Sequence, residues 1–328
     1  MNDVLRSLEP HRRELCAYAY RMLGSSFEAE DAVQETFTRA WKSFDRFEGR
    51  SSLRSWLYKI ATNVCLDMLK GPQRRARPMD LAPSSEAGTP LAAPEPDYVW
   101  IEPIPDGMAF GADPAEAAAA RDTLRLAFVA AVQHLPAKQR AVMLLREVLR
   151  FSAAETAETL QISPASVNSA LQRAKATMAK VGAAEEAPEV TDEELRRLID
   201  GYMSAFQAYD IDALKAMCSE DVSLSMPPIP MWFSGPDSVA EFMLGPGHEC
   251  RDSRLVPTGA NGLPAFGHYK PGRVEGVWEP WSITVLEIEG GRIKGLNYFL
   301  DSARLFPLFG LPPEYRERPA GDGAEKPL

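Results

Sequence analysis

The chain has 328 residues, 45% apolar and 25% charged, an ordinary globular balance and enough length for two or three domains with cores of their own. No apolar run approaches the roughly 20 residues of a membrane helix, and the first 14 residues are polar, without a signal peptide's apolar core; a cytoplasmic protein with no membrane contact is expected. Cys16, Cys65, Cys218 and Cys250 show no Cys-x-x-Cys spacing, which argues against a disulfide framework or zinc ribbon, and His248 with Cys250 reads as an incidental loop pair; no metal or cofactor is expected.

The net charge of −10 would by itself argue against nucleic acid, but the charge is patterned. Residues 1–77 carry 14 basic and 10 acidic side chains, and residues 117–181 carry 9 and 4. Between them, residues 78–116 hold 8 acids and no base, and residues 182–328 hold 24 acids against 13 bases. Two basic blocks separated by an acidic linker place any DNA binding in the blocks.

In chain order, residues 4–24 and 28–46 read as two helices broken at Gly24-Ser25-Ser26, and 52–69 as a third, stopped by Gly71-Pro72. On the second, Val33, Phe37, Ala40, Trp41 and Phe44 share one face, and Asp31, Gln34, Glu35 and Thr38 form a net-acidic polar patch opposite. On the third, Leu53, Trp56, Leu57, Ile60, Val64 and Met68 make the core stripe. Its other face offers Arg54, Tyr58, Lys59 and Thr62, with Asn63 at the edge, and interleaved aromatic and cationic groups suit unstacked single-stranded bases. Residues 73–114, rich in Pro, Ala, Ser and acids, make no core outside the apolar island Tyr98-Val-Trp-Ile101 and read as linker.

Helices resume over 114–180. Ser152 and Glu155 have capping-box spacing, and Ser163-Pro164 starts a second helix after a tight turn, which together form a helix-turn-helix. The second helix buries Ile162, Val167, Leu171, Ala174 and Met178 and turns outward Asn168, Ser169, Gln172 and Arg173, followed by Lys175; Asn, Gln and Arg are the types that bond base edges bidentately. A short link over 183–191 leads to an α+β pattern, with helices over 192–209 and 211–218 and strand-like runs over 221–226, 278–288 and 292–300. Asp221, Glu279 and His268 are its candidate acid–base groups, although nothing in their spacing makes them converge, and no catalytic residue is expected.

The run Asp31-Ala-Val-Gln-Glu-Thr-Phe-Thr-Arg-Ala-Trp41, with Arg50-Ser-Ser-Leu-Arg-Ser-Trp56, resembles region 2 of the extracytoplasmic-function (ECF) bacterial RNA polymerase sigma factors. Leu135-Pro-Ala-Lys-Gln-Arg140 and Arg173-Ala-Lys175, flanking the helix-turn-helix, resemble region 4. Tyr209-Asp-Ile-Asp-Ala-Leu214, Ser219-Glu-Asp-Val-Ser223, Phe233-Ser-Gly-Pro236 and Asn261-Gly-Leu-Pro-Ala-Phe266 resemble the SnoaL-like branch of NTF2-like cone folds, a fusion found in the sigma-J/sigma-G-like groups.

The resemblance implies a multidomain chain: two all-α sigma domains (region 2 over 1–72, region 4 over 117–181), a linker over 73–116, an α+β NTF2-like cone over 192–310 and a flexible tail over 311–328. It implies that Asp31, Gln34, Glu35 and Thr38 dock on the clamp helices of the polymerase β′ subunit. Arg54, Tyr58, Lys59, Thr62 and Asn63 would meet the promoter −10 element, with Asn63 at the position that captures a flipped base, and Asn168, Ser169, Gln172, Arg173 and Lys175 would meet the −35 element. Asn168 and Ala170 stand where many members carry Lys or Arg, so promoter sequence and phosphate affinity do not carry over.

Core polymerase and promoter DNA are thus the expected partners, and transcription initiation rather than catalysis the expected role. The acidic cone is expected to contact the sigma domains and regulate them, with the apolar tail Leu305-Phe-Pro-Leu-Phe-Gly-Leu311 seated against the linker. A nucleic-acid-mimicking linker and plain spacing both remain open. A one-component helix-turn-helix regulator sensing a ligand through the cone is the alternative, but it leaves the Asp31–Glu35 face without a role.

Overall fold

The computed structural model describes residues 2–47, 49, 51–70, 75–111, 114–181 and 191–317; Arg50, the expected stop at Gly71-Pro72, the link over 183–190 and the tail over 318–328 lie outside them. The chain divides into two compact units. The first comprises Met1–Leu81, Pro94–Ala187 and Gly259–Leu263, and the second Ala82–Ala93, Pro188–Thr258 and Pro264–Leu328. The expected spacer is therefore shared between the units rather than standing outside both.

In the first unit, α1 (Asn2–Leu8) and α2 (Arg12–Leu23) are separate helices, because Pro10 lies in a 3-10 turn, Glu9–His11, and offers no amide to a continuous ladder. Gly24, with φ of +76°, ends α2 in the left-handed conformation glycine tolerates. The Ser25 hydroxyl then accepts the Glu28 amide and opens α3 (Ser26–Ser43). Ser52 caps α4 (Leu53–Met68) in the same way. Leu15, Met22, Val33, Phe37, Ala40, Leu57 and Val64 are buried. Trp41 is not: it is 45% exposed, because its position lies at the edge of the apolar stripe.

Beyond two single-turn helices at Pro78–Leu81 and Asp106–Ala109 come the longer α5 (Pro114–Leu124), α6 (Leu126–Gln133), α7 (Ala137–Met143), which widens into one π turn at Leu144–Val148, α8 (Ala153–Leu160) and α9 (Pro164–Val181). The capping box is formed: Ser152 N donates to Glu155 Oε2 at 2.7 Å and Glu155 N to Ser152 Oγ at 3.1 Å.

The carbonyl end of α2 ties these helices together. The last carbonyls of a helix have no partner within it. Here Gln133 Nε2 donates to Arg21 O at 3.2 Å, the Arg140 guanidinium donates to Met22 O, and Glu102 N donates to Gly24 O at 3.0 Å. Arg140 also donates to Gln133 Oε1 at 2.5 Å and to Leu135 O at 3.3 Å, so the cation sits buried where the helix dipole is negative.

Linker residues join this core: Arg75 donates to Trp100 O at 2.7 Å, and Trp100, Ile101 and Ile104 are buried, while Tyr98, from the same apolar island, is exposed. The turn over 259–263 completes the unit. Asn261, fully buried, donates to Tyr20 Oη and Leu124 O, both at 2.8 Å, and accepts the Ile104 amide at 3.1 Å. Gly262 N donates to Asp106 Oδ1 at 2.8 Å.

The second unit is α+β. Helices α10 (Asp192–Ala208), α11 (Ile211–Met217) and α12 (Pro236–Leu244) accompany a sheet of β1 (Cys218–Met226), β2 (Ile229–Ser234), β3 (Arg254–Ala260), β4 (Leu263–Pro271), β5 (Val277–Glu289) and β6 (Arg292–Phe299) in the order β2-β1-β6-β5-β4-β3. β1 and β6 run parallel, and β4-β5-β6 form an antiparallel meander. The pleat sorts β4 by alternation: Phe266 and His268 meet the α10 rings Tyr202 and Phe206, and Tyr269 meets Phe306.

Phe306 belongs to α13 (Ser302–Leu308), and β7 (Tyr315–Arg316) pairs with β5 at Val277 and Trp278. The apolar tail therefore seats on its own sheet, not on the linker, because Leu305 and Phe306 find a ready apolar surface there; residues 315–316 are paired backbone rather than a free end.

Replacing Arg140 with Leu should leave several buried carbonyls without donors and destabilise the first unit by about 2–4 kcal/mol. A urea titration checks this, and an unchanged midpoint would mean that water already serves those carbonyls.

Candidate functional site

On α3, Asp31, Gln34, Glu35 and Thr38 are all exposed and share one face by their spacing. Glu35 accepts from Arg39 Nε at 2.7 Å, and Arg39 also reaches Asp67 at 3.2 Å, so the patch is partly neutralised at its flank. Trp41, three residues beyond Thr38, extends this face with a half-exposed ring that the apolar pattern had assigned inward; its place at the stripe boundary was the available signal.

On α4 two of the side chains expected to meet DNA lie in the interior instead. Tyr58 and Thr62 are fully buried rather than displayed. Tyr18 packs edge-on to Tyr58 at 5.3 Å and its hydroxyl lies 2.8 Å from that of Thr62. On the outer side, Phe151, just before α8, meets the Tyr58 ring at 5.4 Å. The Arg54 guanidinium lies over both rings, 4.9 Å from Tyr58 and 5.7 Å from Phe151, and bonds Glu14 at 2.7 Å. Lys59 pairs with Glu158 of α8 at 3.4 Å. Of the five candidates Asn63 is the exposed one. Periodicity within α4 could not reveal that α8 would cover its second face. Burial pushes the Tyr58 phenol well above its ordinary range, with the Glu14 carboxylate adding to the shift, so it serves only as a neutral group.

On α9, Asn168, Ser169, Gln172, Arg173 and Lys175 are exposed, over a buried stripe of Val167, Ala170, Ala174 and Met178. Arg173 donates to Ser169 Oγ at 2.8 Å, which holds it along the helix, and Lys175 pairs with Glu147 at 3.0 Å. Ser163 Oγ accepts the Ser166 amide at 3.1 Å and fixes the start of this helix.

The sigma-70 region 2 family matches residues 8–75 and the sigma-70 region 4 family residues 125–178. The ECF RNA polymerase sigma factor SigG of Mycobacterium tuberculosis is 42% identical over 320 residues, spanning 94% of this chain and 84% of that one. The chain belongs to the ECF sigma factors. The ECF sigma factor SigW of Bacillus subtilis is 30% identical over 178 residues, 54% of this chain and 86% of its own. The crystal structure of M. tuberculosis SigJ shares the fold, with a TM-score of 0.60 and 23% identity over 94% of this chain and all of the other. As a member of this family the protein directs transcription initiation.

The interior of this sigma factor's α+β unit does not gather the candidate acid–base groups. Asp221 and Glu279 are exposed, and Asp221 lies 3.6 Å from Lys294. A hydrogen bond from Ser219 holds the Asp221 carboxyl below its ordinary range, assisted by Lys294. His268 is fully buried among Phe206, Tyr298 and Ser282; its Nδ1 is 3.4 Å from Ser282 Oγ and its Nε2 has no partner. The neighbouring cleft is lined mostly by apolar side chains, among them Leu214, Met243 and Leu296, with Lys215 and the tyrosines Tyr202 and Tyr298 as its polar members. Burial raises the Cys218 thiol to about 11, so it is no nucleophile at neutral pH. Among the described residues no three His, Cys, Asp or Glu side chains gather as a metal site, and no helix is long and apolar enough to cross a membrane.

Burial, with the Lys270 charge, lowers the His268 pKa from 6.5 to about 3. The unfolded chain therefore binds the proton first, and stability present above pH 6.5 should fall by about 1.4 kcal/mol per pH unit as the pH drops toward 3. Urea midpoints between pH 4 and 7 should show this slope in the native chain and lose it in His268→Phe; equal slopes would place the acid sensitivity elsewhere.

Proposed function

We propose that this sigma factor binds core RNA polymerase through Asp31, Gln34, Glu35 and Thr38, with Trp41 as an aromatic anchor at the end of that face. We also infer that it reads promoter DNA with α4 at the −10 element and α9 at the −35 element. The observation that carries this reading is the pair of solvent-facing polar rows on α3 and α9, each standing on a buried apolar stripe. Asn, Gln and Arg on the exposed row of α9 match the groups that distinguish base edges, and Lys175 adds a charge for phosphate.

The −10 role of α4 requires Phe151 and Glu158 to leave Tyr58, Arg54 and Lys59, so the conformation described here is a closed, resting one. The turn over 259–263 belongs to that state: Asn261 joins Tyr20, Ile104 and Leu124, residues of region 2, the linker and the start of region 4. On this reading the cone domain regulates the sigma modules rather than catalysing, consistent with dispersed Asp221, Glu279 and His268. A one-component regulator would leave the region 2 match without a role.

Asp31→Lys with Glu35→Lys should leave folding within about 0.5 kcal/mol of native, since both side chains are exposed, and should reduce capture by core polymerase at least tenfold. Undiminished capture would remove α3 as the docking face. Arg173→Ala should weaken promoter binding by about 1–3 kcal/mol and relax preference at one −35 position. A uniform loss across sequences with a smaller salt slope would instead make Arg173 a phosphate contact. Asn63→Ala should impair opening while −35 binding is kept, so normal permanganate reactivity of the −10 bases in that variant would refute base capture.

A further inference from the structure

Residues Ala82–Ala93 belong to the second unit, although the chain before them, through Leu81, and after them, from Pro94, belongs to the first. Within the second unit they lie along β2, the terminal strand of the sheet, whose outer edge would otherwise be open backbone. Trp232 Nε1 donates to Ala82 O at 2.8 Å, Ser85 N donates to Trp232 O at 2.7 Å, and Ala92 N donates to Met231 Sδ at 3.1 Å. Ala87, 7% exposed, enters the same apolar core as Met231 and Phe233. The neighbouring Ser84, Glu86, Thr89 and Leu91 remain exposed.

This attachment is specific but light. Among the described residues these three hydrogen bonds and one buried methyl hold twelve residues, whereas β1 and β6 each pair with strands on both sides. A segment attached in this way opens locally at a small fraction of the cost of unfolding the sheet. The same residues lie between the region 2 match, 8–75, and the region 4 match, 125–178, so a polymerase that engages both regions and draws the linker along its own surface must first lift them from the β2 edge.

We propose that residues 82–93 are a releasable strap, and that the β2 edge competes with core polymerase for the linker. The proposal rests on the sigma reading above. When the competent, strap-open form is a minor fraction, apparent polymerase affinity scales with that fraction, so each loosening of the strap tightens polymerase binding by the same factor.

Amide hydrogen exchange on the intact chain tests this. In the free protein the Ser85 amide should be protected roughly 10- to 1,000-fold, well below amides of β1 and β6. Trp232→Phe, which removes the indole donor and keeps an aromatic ring, should cut Ser85 protection about two- to tenfold and raise polymerase affinity by a similar factor, with the thermal midpoint retained. Core polymerase should abolish Ser85 protection. If Trp232→Phe does not fold, Ala87→Asp, which leaves β2 intact and expels the buried methyl position by charge, must give the same loss of protection.

An unprotected Ser85 in the free chain overturns the strap. Protection that persists in the polymerase complex overturns the competition. A chain that never binds polymerase refutes the sigma reading and the competition with it, while the strap is still judged by its exchange rate in the free chain and in the variants.

Discussion

Everything in the first unit turns on how α2 ends. A helix leaves its last carbonyls without donors, and burying such groups costs on the order of 1–3 kcal/mol each. The end of α2 is buried, and the Gly24 amide turns back to Tyr20 O, leaving the Arg21, Met22 and Gly24 carbonyls to be met. Its donors come from elsewhere in the chain: Gln133 and Arg140 from region 4, and the Glu102 amide from the linker. Arg21, at the same end, is itself buried and donates to Thr123 Oγ1 at 2.7 Å, and burial lowers its pKa to about 10, still high enough to keep it charged. The need to satisfy one helix end thus draws region 4 and the linker onto region 2, and the packing of Phe151 and Glu158 over α4 goes with it.

This arrangement explains why the two rows proposed to face DNA stand so differently. The α9 row is open because α9 needs only one face for its core, and the buried stripe of Val167, Ala174 and Met178 supplies it. The α4 row is closed because Tyr58 and Phe151 are large rings whose burial is favourable, and Arg54 gains a cation–π contact with each. An aromatic residue suited to stacking on a base is equally suited to stacking on another ring when no nucleic acid is present.

Much of the fold was legible in the chain. The 3.6-residue stripes of α3, α4 and α9, the Ser152–Glu155 capping box and the switch to alternation beyond residue 218 are local signals, and they located their elements to within a few residues. The Asp31–Thr38 face was legible because Asp31, Gln34, Glu35 and Thr38 stay exposed, as their spacing on one helix implies. What the sequence hid was long-range. The burial of Tyr58 depends on Phe151, 93 residues later by their numbering, and periodicity within one helix carries no record of such a neighbour. Ala87 lies in a Pro- and Ala-rich run with the composition of a spacer, and only the edge of β2 makes it a core residue. The tail was misplaced for the same reason: apolar composition says that Phe306 is buried, not where.

The place of Asn261 bears on how the molecule is made. It lies 137 residues after Leu124 and 241 after Tyr20, two of its hydrogen-bond partners. At synthesis rates of about 5–20 residues per second, Leu124 at the start of region 4 is added to the chain roughly 7–30 s before Asn261. For that interval the newborn sigma modules exist without the side chain that closes their core, so each molecule passes once through an unlatched form while it is still attached to the ribosome.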